Sequence, residues 1–121
     1  MFKLGIDIVE IARFENKSDD YLKLMFTSAE MNEAGKRENK AEFYASRFAA
    51  KEAFAKTQDE AFSTINAKHI NVETNEKGMP YISLDSEYEH LLDGYNHTLS
   101  ISHEKTFAIA VVALYAKSWL E

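Results

Sequence analysis

A run of 17 residues near the middle of the chain, Lys40 to Lys56, is the feature that most limits the possible folds. Its sequence, KAEFYASRFAAKEAFAK, is rich in Ala, Glu and Lys, which are strong helix formers. Ala45, Phe48 and Ala49 recur at the spacing of one helix face. The pattern predicts a long helix with one apolar side, which the rest of the chain must cover.

The segment before this helix carries further helix signals. Thr27 and Glu30 have the spacing of a capping box, which predicts a helix that runs to about Gly35. Asp19 and Asp20 are predicted to cap another helical segment, residues 21–26. A short helix is also expected over residues 11–14.

Alternating apolar residues predict the strands. In residues 4–9, Leu4, Ile6 and Ile8 lie on one face, and the other face carries Gly5, Asp7 and Val9. The other predicted strands are residues 70–74, 81–84, 98–103 and 107–114, with a short helix over 86–93 between the two hairpins. One strand, then helices, then two hairpins predicts an α+β fold, in which an antiparallel sheet packs against the long central helix. The length suits a single domain over residues 1–121.

The composition narrows the classes of function. The chain has no cysteine, which excludes disulfides, thiolate metal sites and thiol nucleophiles. We expect a cytoplasmic protein without a membrane partner, because neither a signal peptide nor an apolar run of roughly 20 residues is visible. The net charge of −6 disfavours nucleic-acid binding. Residues 36–56 nevertheless carry six basic and three acidic residues, which fits either a solvated helix face or an anion site.

Three polar residues stand where periodicity predicts apolar ones: Asp7, Glu52 and His103. Each has an ordinary explanation. Asp7 fits a solvated sheet face, Glu52 fits an i,i+4 pair with Lys56, and His103 fits a hydrogen-bonded histidine at a strand end. His69, His90 and His97 lack metal-ligand spacing, and we expect them on the surface.

A second explanation joins these residues into one site. Two carboxylates without soft ligands suit Mg²⁺, which takes few protein carboxylates and fills its shell with phosphate oxygens and water. Arg47, Lys51 and Lys56 lie on the same predicted helix as Glu52. Acids that hold a divalent cation, flanked by bases, are the arrangement that phosphoryl transfer requires.

Three motifs carry a resemblance to a known family. Residues 5–13 (GIDIVEIAR), 47–56 (RFAAKEAFAK) and 100–103 (SISH) resemble, in this order, motifs of the holo-acyl-carrier-protein synthases. Asn75 and the Gly78-Met79-Pro80 segment also stand at the expected place between the second and third motifs. The similarity extends from about Leu4 to Val112.

The resemblance implies a 4'-phosphopantetheinyl transferase fold and a set of roles. Asp7 and Glu52 would be the magnesium ligands, and Glu52 and Lys56 would act in catalysis. The residues that would bind coenzyme A are Arg47, Lys51, Lys56 and His103, with Lys51 giving supporting charge only. Arg13 would meet the acidic recognition helix of an acyl carrier protein. Homotrimers with active sites at subunit interfaces are also implied.

The implied reaction moves the phosphopantetheine arm of coenzyme A to a serine of the carrier, in support of fatty acid biosynthesis. Alternatives remain: a degenerate, non-catalytic binding module of the same fold, a transferase for peptide or polyketide carriers, and a phosphoesterase acting on a nucleotide. The first of these is suggested by residues 57–64, TQDEAFST, where the family usually has a Gly-Thr-Gly loop. Acidic residues also lie among the bases of the expected docking segment, which are Arg13, Lys17 and Lys23. A second possible docking place is the basic group Lys36, Arg37 and Lys40.

Overall fold

A computed structural model describes residues 2–58 and 65–120 and confirms the α+β fold. The helices are α1 (Asp19–Leu22), α2 (Ser28–Ala34) and α3 (Lys40–Ala55). The strands are β1 (Phe2–Glu10), β2 (Ile70–Thr74), β3 (Pro80–Leu84), β4 (Tyr95–His103) and β5 (Phe107–Ala116). Short 3-10 helices cover Ile11–Phe14, Ala67–His69, Ser86–Leu92 and Lys117–Leu120.

Side-chain caps fix where the helices begin. The capping box is present: the Glu30 backbone donates to the Thr27 hydroxyl, and the Thr27 backbone donates to the Glu30 carboxylate. Helix α3 begins after Asn39, whose side chain accepts from the backbone of Glu42. The cap predicted at Asp19 and Asp20 is wrong by one residue, because Ser18 accepts the hydrogen bond and the two acids form the first turn of α1.

The strands form two antiparallel sheets. A three-stranded sheet has the order β1-β5-β4, and β2 pairs with β3 in a separate hairpin. Strand β4 begins at Tyr95, three residues before the predicted Thr98. In the register of the larger sheet, Asp7 of β1 and Ile101 of β4 both lie opposite Ala110 of β5.

Small residues let helix α3 lie close to this sheet. Ala49, Ala50 and Ala53 are fully buried, and Gly5 of β1 faces the same helix. A Cβ atom at Gly5 would lie 1.8 Å from the carbonyl oxygen of Ala53, so no other residue fits without moving the backbone. An aromatic cluster that includes Phe14, Phe26, Tyr44 and Phe48 completes the core near the first turns of the helix.

The outer face of β1 is apolar and uncovered in the single chain. Phe2, Leu4, Ile6 and Ile8 are 51–61% exposed, whereas Val9 on the other face is buried. The alternation predicted from the sequence is therefore present, but the apolar side faces outward. Asp7 lies on the inner side, toward α3, and its side chain is 17% exposed, so the solvated sheet face expected for it is wrong.

Among the described residues, the helices are all too short or too polar to cross a bilayer. The longest is α3 with 16 residues, and its inner side is already covered by the sheet.

Candidate functional site

Asp7 and Glu52 line the same pocket, although they are 45 positions apart in the sequence. Strand β1 supplies Asp7 and helix α3 supplies Glu52, and the close packing of Gly5 against Ala53 brings the two elements together. This pocket, called here the acidic pocket, has a volume of about 400 Å³ and is also lined by Glu10, Arg13 and Phe48. The two acids that the sequence joins into one site therefore line one pocket, and their role as metal ligands stays a prediction.

The charges of Asp7, Arg13 and Lys56 all shift the pKa of the Glu52 carboxyl, so these side chains lie near it. Burial raises the pKa of the Glu52 carboxyl above its ordinary value, and the negative charge of Asp7 raises this pKa further. The positive charges of Arg13 and Lys56 act in the opposite direction. With Glu10, three acidic and two basic side chains surround the acidic pocket, so a further positive charge is favourable there.

Lys56 is held by strand β1. Its ammonium donates hydrogen bonds to the Asp7 carboxylate at 3.1 Å and to the Ile6 carbonyl oxygen at 2.9 Å. An ammonium has three N–H donors, so one has no partner among residues 2–58 and 65–120 and is available to a ligand. The predicted pair between Glu52 and Lys56 is wrong, because Lys56, the C-cap of α3, turns toward Asp7.

Arg13 lies at the edge of the acidic pocket with its guanidinium against aromatic rings. Its Cζ atom is 4.6 Å from the ring centre of Phe48 and 5.4 Å from that of Phe14. Within residues 2–58 and 65–120, no hydrogen bond or ion pair occupies its five N–H donors. The rings therefore orient a planar cation whose donors face outward, which suits a carboxylate or phosphate partner.

The donor set of the acidic pocket fits a hard divalent cation. Asp7 and Glu52 offer carboxylate oxygens, and a bound cation would relieve the repulsion between their negative charges. In the described part of the chain, no group of three or more His, Cys, Asp or Glu side chains is arranged to hold a metal. A cation here would thus take two protein ligands and complete its shell from substrate and water, as Mg²⁺ commonly does.

Arg47 and His103 meet in a larger pocket of about 850 Å³, called here the basic pocket. His103, at the end of β4, has its Nε2 atom 3.2 Å from the Glu42 carboxylate. The guanidinium of Arg47 lies 4.5 Å from the ring centre of Phe43, and its buried Nε atom has no partner in the described residues. Burial, followed by the nearby charge of Arg37, lowers the pKa of Arg47. An anion in this pocket would satisfy the unpaired donor.

The two pockets lie on opposite sides of the same helix. Asp7 and the basic-pocket residue Ile101 share Ala110 as their neighbour in the sheet, so two strand spacings, about 10 Å, separate their backbones. Helix α3 gives Phe48 and Glu52 to the acidic pocket, and Phe43 and Arg47 to the basic pocket.

Lys51 faces neither pocket. Its side chain is fully buried, and its ammonium donates to the Glu30 carboxylate at 2.7 Å, the Met25 carbonyl at 2.8 Å and the Ala67 carbonyl at 3.0 Å. All three N–H donors are therefore occupied. This geometry does not support the sequence-based assignment of Lys51 to coenzyme A binding.

The structure gives several residues a position or a contact that the sequence did not predict. Lys36 and Arg37 line the basic pocket with Arg47, and the excess of bases in residues 36–56 was the signal for them. Glu30 was taken only as a helix cap. His97, expected on the surface, is half-buried, and its Nε2 atom accepts a hydrogen bond from the Ile82 backbone. Most of the segment in place of the Gly-Thr-Gly loop, residues 59–64, lies outside the described residues.

Comparison with known proteins gives one consistent family. The family model described as the 4'-phosphopantetheinyl transferase superfamily matches residues 3–112. A holo-[acyl-carrier-protein] synthase of Halothermothrix orenii is 40% identical over 116 residues, which cover 90% of this chain and 93% of the relative. A synthase of the same description from Pelagibacter ubique is 36% identical and covers 94% and 96% of the two chains.

Solved structures agree with the sequence matches. A holo-(acyl-carrier-protein) synthase from Bacillus anthracis, in complex with CoA (3',5'-ADP), has a TM-score of 0.80 at 32% identity, over 95% of this chain and 96% of that one. The Helicobacter pylori synthase in complex with coenzyme A has a TM-score of 0.79 at 30% identity, over 93% and 99%.

Proposed function

Because the chain belongs to the 4'-phosphopantetheinyl transferase superfamily, as one of its holo-[acyl-carrier-protein] synthases, we propose that it transfers phosphopantetheine from coenzyme A to a serine of an apo acyl carrier protein. The observation that carries the proposal is the acidic pocket, in which Asp7 and Glu52 meet beside the ammonium of Lys56. This arrangement suits the charge of a diphosphate that is being cleaved.

The proposed reaction is a displacement at phosphorus. The serine hydroxyl oxygen of the carrier forms a bond to the phosphorus next to pantetheine. The bond between this phosphorus and the bridging oxygen of the diphosphate breaks, and adenosine 3',5'-bisphosphate leaves with the electron pair. The serine proton passes either to Glu52 or to water, and Lys56, which keeps one N–H donor, stabilises the charge on the leaving phosphate.

Asp7 and Glu52 would hold a magnesium ion in this site. When bound, the ion supplies positive charge to the phosphate oxygens. The residues of the chain do the rest: Asp7 is kept in place by Lys56, and Arg13 and Phe48 close one side of the pocket.

The basic pocket is proposed to bind the nucleotide end of coenzyme A. Arg47 and His103 would contact its phosphate, and Lys36 and Arg37 add positive charge to the same wall. The unpaired Nε of Arg47 and the ring of Phe43 against its guanidinium favour a planar, charge-assisted contact.

We propose a homotrimer in which each site takes residues from two subunits. Two observations support this assembly. The outer face of β1 exposes four large apolar residues in a row, which in a monomer is an unfavourable surface. In addition, the acidic and basic pockets of one chain lie on opposite sides of α3, so one ligand reaches both kinds of pocket more readily where two subunits meet.

Arg13 is proposed to dock an acidic group of the carrier. Arg13 is exposed at the edge of the acidic pocket, and its N–H donors have no partner in the described residues, so a carrier bound there would bring its serine close to Asp7 and Glu52. The proposal also keeps the expected setting of the enzyme, which is fatty acid biosynthesis in the cytoplasm.

Mass spectrometry of an apo carrier tests the function directly. The protein is incubated with apo acyl carrier protein, coenzyme A and Mg²⁺, and the carrier is expected to gain the mass of one phosphopantetheine. Loss of the gain in EDTA supports the metal. If no fatty acid, peptide or polyketide carrier gains mass, a non-catalytic module is favoured. If only a peptide or polyketide carrier gains mass, that carrier is the substrate in place of a fatty acid carrier. Hydrolysis of coenzyme A without any carrier would indicate a phosphoesterase.

A further inference from the structure

Lys51 joins three separate segments of the chain to helix α3. The Met25 carbonyl follows α1, the Glu30 carboxylate belongs to α2, and the Ala67 carbonyl precedes β2. A fully buried ammonium is unfavourable unless every donor is paired, and this one has three acceptors within 3.0 Å. Burial lowers the pKa of Lys51, and the charge of Glu30 opposes that shift.

Glu30 extends the network to the second sheet. One of its oxygens accepts from Lys51 and from the backbone of Thr27, and the other accepts from the backbone of Val72 in β2 at 3.0 Å. A single ion pair therefore links α2, α3 and β2. The side-chain exposures are 0% for Lys51 and 5% for Glu30, so solvent does not compete for these bonds.

The turn of α3 that this network holds is the one that carries Glu52. Lys51 precedes Glu52 and is anchored to three segments, and Ala53 follows it and lies against Gly5 of β1. The Glu52 carboxylate itself has no hydrogen bond or ion pair in the described residues. Its place in the acidic pocket therefore depends on the position of the backbone between two anchored neighbours.

We propose that Lys51 is a positioning residue, which through its ion pair with Glu30 and its two carbonyl contacts fixes the helix turn that aims Glu52 at the metal, and that it does not contact coenzyme A. This inference rests on the proposed function, because it gives Glu52 a role as metal ligand. It also assigns a purpose beyond stability to a buried charge pair.

Replacement of one member and of both members of the pair separates stability from positioning. Lys51→Met alone leaves the Glu30 charge buried without its partner, so its unfolding midpoint is expected to fall. The double variant Lys51→Met/Glu30→Gln removes both charges and is expected to regain part of the midpoint, because the Met25 and Ala67 carbonyls still lack their donor. It still lacks the bonds from α3 to Met25 and Ala67, so the turn that carries Glu52 remains unanchored.

Two binding measurements then decide the role. Binding of Mn²⁺ in the presence of saturating coenzyme A is followed by electron paramagnetic resonance, and binding of coenzyme A alone is measured by calorimetry in EDTA. In the double variant the Mn²⁺ dissociation constant is expected to rise about tenfold, the lower end of the usual loss when a supporting residue of a metal ligand is removed. Metal-free coenzyme A affinity is expected to stay within about threefold of the wild type. Lys68→Met, on an exposed lysine beside Ala67, is the matched control and should change neither value.

Each other outcome overturns the proposal. A stable double variant with wild-type Mn²⁺ affinity makes Lys51 a purely stabilising residue. A loss of metal-free coenzyme A affinity of more than about tenfold makes it a direct ligand. If the double variant does not fold, Lys51→Gln, whose shorter side chain has only two N–H donors for the three acceptors, is compared instead, and unchanged Mn²⁺ affinity there also overturns the proposal.

The wild-type protein separates this inference from the proposed function. If the wild type binds neither coenzyme A nor Mn²⁺, the proposed function fails whatever Lys51 does. If it binds both, the variants test the role of Lys51 alone.

Discussion

The ammonium of Lys56 lies 3.1 Å from the carboxylate of Asp7, so a residue from the end of helix α3 neutralises the acid that strand β1 supplies. The lysine also donates to the carbonyl of Ile6. Asp7 is therefore fixed by a neighbour, whereas Glu52 is fixed only by the helix. The two proposed metal ligands thus differ in what holds them, although they share one pocket.

Removal of either carboxylate charge is expected to stop transfer without unfolding the protein. Asp7→Asn and Glu52→Gln keep the shape of the side chains and should each lower the rate of carrier modification by about 100-fold, the upper range for loss of support at a metal site. Rates are measured by mass spectrometry at saturating Mg²⁺, with circular dichroism as the test of folding. Glu15→Gln, on an exposed acid, is the control. Near-normal turnover of either variant would remove that residue from the metal site.

Gly5→Ala is expected to destabilise the fold and to lower activity together. The added Cβ would lie 1.8 Å from the Ala53 carbonyl oxygen, so helix α3 must move away from β1 and Glu52 from Asp7. Overpacking of this kind costs about 1–3 kcal/mol of unfolding free energy, or more where backbone must move. Urea unfolding measures the loss. Gly35→Ala is the control, because that glycine has a helical φ of −61° and only a 3.3 Å contact; equal effects of the two substitutions would contradict the argument.

The stability of the fold is expected to fall below about pH 6.5 through His97. Its Nε2 accepts a hydrogen bond from Ile82, which requires a neutral ring, and burial lowers its pKa below the usual 6.5. The unfolded chain then takes up a proton at a higher pH than the folded chain, so stability is complete above pH 6.5 and declines as the pH falls toward the folded pKa.

Urea midpoints between pH 8 and pH 5 check this dependence. His97→Gln keeps an acceptor without a titrating group and should show a flatter profile than the wild type. His90→Gln, on an exposed histidine, should keep the wild-type slope. The pKa of Asp85 is lowered mainly by its hydrogen bonds to His69 and Asn71, so its protonation changes the stability only below about pH 4, outside this range. Identical slopes for the wild type and His97→Gln would reject His97 as the cause.

Arg13→Ala is expected to weaken use of the carrier more than binding of coenzyme A. The guanidinium lies on the rings of Phe48 and Phe14 with free donors, and loss of one charge-assisted contact to a carrier carboxylate costs about 1.5–3 kcal/mol, a rise of roughly 10- to 100-fold in the carrier KM. Steady-state kinetics with each substrate varied in turn gives the two KM values. An equal rise in both would remove Arg13 from docking and make it part of the phosphate site.

What the sequence predicted depended on local pattern and on motif. The capping box at Thr27 and Glu30, the long helix and the two hairpins follow from patterns within a few residues. The residues alone left the joining of Asp7 and Glu52 in one site as one of two interpretations, and the family resemblance favoured it. The outward direction of Ile6 and Ile8 was missed, because alternation tells which residues share a face and not which face is covered.

The contacts of the lysines were also missed, for a related reason. Lys51 and Lys56 both fit a helix surface, and their partners Glu30 and Asp7 lie 21 and 49 positions away. No periodicity records such contacts, since they depend on how β1 and α2 pack against α3. The basic pocket shows the same limit, because Lys36 and Arg37 meet His103 only after β4 is in place.

A charged substitution on the apolar face of β1 tests the proposed assembly without disturbing the fold of the chain. Ile6 and Ile8 are 51% and 61% exposed in the single chain, and burial of such a side chain contributes about 1.5–3 kcal/mol. Ile6→Glu is expected to turn the proposed trimer into monomers in sedimentation velocity while the circular dichroism spectrum is kept, because the side chain makes no part of the core.

If the proposed trimer is lost, carrier modification is expected to disappear as well, since in the proposed assembly the acidic pocket of one subunit meets the basic pocket of another. Met79→Glu, which places the same charge on a 57% exposed residue of the β2–β3 turn, should leave the sedimentation coefficient unchanged. A monomeric Ile6→Glu variant with full activity would show that one chain holds a complete site, and a trimeric one would place the interface on another surface.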